Sequence, residues 1–171
     1  MFIGSEDVVG EWMPERFYAQ VIITVTDHAP LLANPRQAHL VMATLADCAP
    51  NAPGQLWGYV ALSDSVRLIV GPTDEDSLAG FIDLIKAETA ARLLAAIRRA
   101  DDESLDMVLR YNPVWGGAIY QVWQAGSHRV LFWTEYKLSN AVYELRAAPV
   151  LAGLVESADE WPYLWVSGDE A

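Results

Sequence analysis

The sequence predicts an α+β domain, a ferredoxin-like split β-α-β with an antiparallel sheet and helices packed on one face of it. Three observations predict this fold. Apolar residues alternate at period two in short β-branched runs and recur at helical spacing in longer ones. These runs follow one another as strand, helix, strand, strand, helix, strand. The middle two strands, within "WGYVALSDSVRLIV" (Trp57 to Val70), are joined by a tight polar turn and read as a hairpin.

The first strand is "RFYAQVIITVT", β-rich with alternating apolar residues. In "LLANPRQAHLVMATLADCA" Asn34 is placed to cap a helix and Pro35 to open it, with apolar residues at helical spacing behind them. "APNAPG" breaks that helix before the hairpin. After the hairpin, "PTDEDSLAGFIDLIKAETAARLLAAIRRA" has acids in its first turn and bases in its last. Between them Leu78, Phe81, Ile82 and Ile85 repeat at helical spacing, so it is a long amphipathic helix. "DDESLDMVLRYNPVWGG" (residues 101–117) is weakly patterned and receives no assignment. Two short strands, "AIYQVWQ" and "HRVLFW", come next. Thr134 then caps a helix, "EYKLSNAVYELRAA", with Leu138, Val142 and Leu145 on its buried side, and Pro149 is expected to stop it.

A chain of 171 residues, 53% hydrophobic, has enough apolar side chains for one real core. The expected organisation is a flexible N-terminus over 1–14, one domain over 15–167 and a tail over 168–171. No early run pairs a basic region with an apolar one and no apolar run reaches membrane-spanning length, so a cytoplasmic protein is expected. Cys48, the single cysteine, lies in a helical pattern and reads as a small buried hydrophobe. None of His28, His39 and His128 has a second histidine at ligand spacing.

The net charge of −12 reflects 11 Lys and Arg against 23 Asp and Glu. A protein gripping a duplex usually neutralises roughly 6–10 phosphates, and here the summed field repels polyanions. Arg92, Arg98 and Arg99 form the visible basic cluster. Trp12, Trp133, Tyr136 and Trp161 are candidates for a protein-contact patch.

On the hairpin, Ser65 and Arg67 alternate with Val66 and Leu68, so their side chains leave one face of the second strand side by side. That placement would suit a pair of metal ligands, and serine and arginine are not such a pair. Three blocks in order make the chain resemble the REP-associated tyrosine transposases, a bacterial branch of the single-tyrosine HUH transposases. The family hairpin commonly reads Tyr-Val-x-Met-Pro-Asn-His-Val-His-Leu-Leu, where this chain has "YVALSDSVRLI". The family pattern Leu-Trp-Gln, a gap, then a helix ending Tyr-Ile-x-x-Asn-Pro-Val-x-Ala-Gly-Leu-Val matches "VWQAGSHRVLFWTEYKLSNAVYELRAAPVLAGLV", and its acidic Trp-Pro close matches "ESADEWPYLW".

The resemblance implies a divalent cation, such as magnesium or manganese, held by the His-x-His pair and polarising the scissile phosphate. It implies a tyrosine on the facing helix that attacks phosphorus, and a nearby amide that completes the metal shell. Matched position by position, the histidines fall on Ser65 and Arg67, the nucleophile on Glu144 and the asparagine on Ala148. Tyr143 is one residue off, about 100° around the helix, and is the rescue candidate for the missing nucleophile. Arg67 and Glu144, opposite in sign, are expected to form an ion pair where metal and nucleophile meet in the family. Of the bases the family carries on its long helix, Lys86 and Arg92 remain, so candidate DNA contacts are Lys86, Arg92, Arg98 and Arg99.

The expectation is a transposase-like domain without cofactor that has lost DNA cleavage and joining and is retained as a DNA-recognition or regulatory module. Its partner would be single-stranded or hairpin DNA, and its state monomer or homodimer. The alternative is a protein-interaction module or DNA mimic that binds no nucleic acid. An active single-strand transposase is the third reading, and the site residues count against it.

Overall fold

The structure, a computed structural model, describes residues 15–111, 114 and 116–169. The N-terminal segment 1–14, with Trp12, and residues 170–171 lie outside the described residues. Strand β1 (Phe17–Thr24) is followed by helix α1 (Pro35–Cys48), the hairpin β2 (Gln55–Ala61) and β3 (Ser65–Thr73), and helix α2 (Glu75–Arg99). A two-stranded ribbon, β4 (Leu109–Tyr111) with β5 (Ala118–Tyr120), precedes β6 (His128–Phe132), helix α3 (Glu135–Leu151) and β7 (Leu164–Val166).

The main sheet has the order β6-β1-β3-β2-β7, every neighbouring pair antiparallel. The fold is α+β, with β3 at the centre. Residues 101–117 include a short 3-10 turn, Glu103–Val108, and β4. The segment "AIYQVWQ" is a strand only over Ala118–Tyr120, which pairs with β4, while its last residues bond to the end of β1, the Gln124 amide donating to Thr24 O.

The capping residues work as their types demand. The Asn34 side chain accepts from the Arg36 amide, Asp74 from the Ser77 amide and Thr134 from the Lys137 amide. These bonds satisfy backbone donors that have no partner inside the first turn of each helix.

Helices lie on both faces of the sheet, not on one. Ala19, Val21, Ile23, Val66, Leu68 and Val70 face the core shared with Val41 and Leu45 of α1 and Leu78, Phe81 and Ile85 of α2. Val60, Ile69, Phe132 and Val166 face the opposite way, onto Leu138, Ala141, Leu145 and Ala148 of α3. A strand buried on both faces has apolar residues at successive positions, so β3 reads "VRLIV" without a clean alternation.

Pro149 does not stop α3, which continues to Leu151. Proline removes one bond to the preceding turn, and its fixed φ is compatible with a helix, so Pro149 stays in α3 with its ring buried. The helix ends instead on Gly153, at φ +74°, where the Gly153 amide donates to Val150 O and the Leu154 amide to Pro149 O. That is a Schellman closure, which glycine allows because it has no Cβ.

Candidate functional site

The site grows out of the way α3 is seated. It rests on β2, β3 and β7, and it comes close because Gly58 has no side chain: a Cβ there would lie 2.7 Å from Leu145 Cδ2. The β6 side of the sheet is left uncovered, and Val130 is 48% exposed. Between sheet and helix runs a cleft of about 530 Å³. Gln20, Val130 and Phe132 form its floor, Trp133 and Thr134 its end, and Lys137, Asn140, Ala141 and Glu144 its helical wall. The four wall residues are spaced i, i+3, i+4, i+7, one stripe of α3.

Ser65 and Arg67 share the face of β3 that carries Ile69, hence the α3 side of the sheet. Ser65 is buried, with 6% of its surface exposed. Arg67 is half-buried, between Ile22 of β1 and Val60 of β2. Its Nε is buried and without a hydrogen-bond partner. Glu144 reaches the cleft wall from α3. Among the described residues no ion pair joins Arg67 to Glu144, so the expected salt link is not formed. Glu144 stands over the part of the sheet carrying Gln20 and Val130, while Arg67 belongs to the row of Ile22 and His128.

Ala148 packs into the core beneath α3. Tyr143 is 75% exposed and does not line the cleft. One helical residue of rotation turns its hydroxyl away from the sheet, so a nucleophilic role for it would require α3 to turn.

Ser65 and Arg67 do not fit a divalent cation: one is a buried hydroxyl and the other a fixed cation. No group of three or more His, Cys, Asp or Glu converges among the described residues. His28 is bonded to Asp64 at 3.2 Å, and His39 and His128 are exposed.

The candidate DNA contacts are dispersed and largely engaged. Lys86 Nζ donates to the carbonyls of Gln124 (2.9 Å) and Gly126 (2.6 Å), and burial lowers its pKa against a smaller raising effect of Asp83. Arg92 pairs with Asp47 at 2.7 Å and with Glu88 at 3.7 Å. Arg98 lies over the Tyr120 ring, 5.0 Å from its centroid. Arg99 is exposed. At about 100° per residue, Lys86, Arg98 and Arg99 point three ways around α2 rather than forming one basic face.

The cleft residues Gln20, Lys137 and Asn140 carry no motif, and the i, i+3, i+7 spacing of Lys137, Asn140 and Glu144 was the one signal that could have grouped them. Of the aromatic candidates, Trp133 and Tyr136 are exposed. Trp161 is structural, its Nε1 donating to Ala61 O at 3.0 Å. Cys48 is buried, and burial raises its thiol pKa. No helix among the described residues is long and apolar enough to cross a membrane.

No family model matches the chain, and no curated protein matches it. Solved structures do. A REP-associated tyrosine transposase bound to a REP hairpin aligns over 90% of this chain and 78% of its own, with TM-score 0.58 and 12% identity. A putative transposase from Deinococcus radiodurans R1 aligns over 90% of this chain and 98% of its own, with TM-score 0.44 and 13% identity. With its five-stranded antiparallel sheet and its α3 laid across the β2–β3 hairpin, the chain has the fold of the REP-associated tyrosine transposase.

Proposed function

We propose that the protein is a transposase-like domain that has lost DNA cleavage and joining, needs no metal cofactor, and is retained as a DNA-recognition or regulatory module. One observation carries the reading. The two elements that would bring metal and nucleophile together are in place, and they present Ser65 and Arg67 from β3 and Glu144 from α3. The scaffold persists where the reactive groups do not. Hairpin or single-stranded DNA is the preferred ligand because the transposase of the same fold is bound to a REP hairpin.

A second reading, a protein-interaction module, is favoured by a different observation. Arg92, Arg110, Arg129 and Arg146 each pair with an acid of this chain, and Lys86 is engaged with carbonyls. Of the eleven bases, that leaves six for phosphates, Arg16, Arg36, Arg67, Arg98, Arg99 and Lys137.

A salt titration of binding to hairpin and single-stranded DNA, with and without magnesium or manganese, tests both. The expected result is binding that weakens with salt, by fewer than about 6 counterions, over uncleaved strands in every tube. Metal-dependent cleavage would overturn the loss of chemistry. Absence of binding at low salt would overturn the DNA reading in favour of the protein module.

A further inference from the structure

We propose that Arg67 is a phosphate-binding residue, its guanidinium giving the α3 side of β3 a metal-independent site for one phosphate group. The inference deepens the DNA reading, on which it rests for the source of that phosphate.

Arg67 differs from the other arginines without an acidic partner, because Arg16, Arg36, Arg98 and Arg99 are exposed to water and Arg67 is half-buried. In a protein with 23 acids and 11 bases, the arginines at 92, 110, 129 and 146 all found carboxylate partners. Arg67 has none, and its side chain makes no hydrogen bond among the described residues. It also occupies a costly position: the central strand of the sheet, half-buried, between the apolar Ile22 and Val60. A buried guanidinium donor without an acceptor forfeits its hydration and regains nothing, unless an acceptor arrives from outside.

The surroundings suit an anion. Ser65 lies two residues away on the same face and Thr24 pairs with it across β1. One strand over, Ile22, Thr24, Ser127 and His128 line a hollow of about 300 Å³ that contains no carboxylate. An arginine offers Nε and an Nη side by side, a fork that matches two oxygens of one phosphate. The orphaned Nε is half of that fork.

The test uses the whole chain and reads the Arg67 Nε–H signal in proton–nitrogen correlation spectra, assigned through its own side chain so that no variant is needed. Inorganic phosphate should shift it saturably, with EDTA present, where sodium chloride of equal ionic strength does not. Arg67→Lys, which keeps the charge and loses the fork, should weaken phosphate binding about tenfold or more. A signal unmoved by phosphate, or moved equally by chloride, overturns the proposal. Short single-stranded DNA separates the two readings. If phosphate moves the signal and DNA does not bind, the site stands and the DNA reading falls. If DNA binds without moving it, the DNA reading stands and the site falls.

Discussion

Lys86 ties α2 to the segment entering β6 through the carbonyls of Gln124 and Gly126, and Trp123 reinforces the tie by donating from Nε1 to Thr89 Oγ1 at 2.8 Å. Lys86→Met keeps most of the side chain's shape and removes both bonds. The expected loss is about 1–2 kcal/mol, the lower part of the range for charged hydrogen bonds because the Gly126 bond is solvent-exposed. Amide exchange at residues 124–127 should speed up. The pH dependence has a definite sign. Because burial lowers the folded pKa of Lys86 below 10.5, the unfolded chain holds more protons between those two values. Wild-type stability therefore rises with pH through that window relative to Lys86→Met, which denaturation midpoints at several pH values would record. From sequence, Lys86 was indistinguishable from a solvated base, because its partners are backbone carbonyls 38 and 40 residues away. Asn34 and Thr134 were legible because a cap acts within a single turn.

Among the elements, α3 is seated on the sheet through one close approach. Its approach to β2 is permitted at Gly58, where an added Cβ meets Leu145 Cδ2 at 2.7 Å and Trp165 O at 3.1 Å. Gly58→Val should cost about 1–3 kcal/mol through overpacking, read as a lower urea midpoint, and Leu145→Ala in the same chain should return part of it. Gly80, within α2 and with nothing inside 4 Å of an added Cβ, makes the contrast. Gly80→Ala should stabilise by about 0.5–1 kcal/mol. The matched block "PVLAGLV" has a physical meaning at this scale: it is the Schellman end of α3. The sequence signals that survive therefore mark where the helix ends, while Glu144, at the position where chemistry is expected, carries no constraint that a local pattern could reveal. Pro149 misled because its missing amide costs one bond to the preceding turn and does not stop the residues after it from staying helical.

For the molecule as a whole, the closing "ESADEWPYLW" is a fifth strand in the making. β7 covers the β2 edge, Trp165 stacks on Tyr59 with centroids 5.2 Å apart, and Trp161 donates to Ala61 O. Arg146 fastens the end beyond it to Asp169 at 2.6 Å, a bond that raises the pKa of Arg146 and lowers that of Asp169. Ending the chain at Ser157 should bare the β2 edge and the Tyr59 face. Light scattering should then show association beyond that of the intact chain. The order of strands and helices was legible at this scale, and the side of the sheet that each helix takes was not. Successive apolar residues in β3 tell that both faces are covered without telling by what. Arg67 was legible as a misfit at once, but its want of a partner depends on residues from three strands and a helix, and no local pattern carries that.

The directions of the outer strands bear on how the molecule would take a load. β1 begins at Phe17, three residues above the row of Gln20, Ile69, Gly58 and Val166, and β7 runs toward that same end before it leaves the sheet. The start of β1 and the end of β7 thus lie on one side of the sheet. Tension between them would peel β7 from β2 one bond at a time rather than shear the sheet along its strands, so under force the C-terminal strand would yield first, while β1, flanked by β3 and β6, kept its grip.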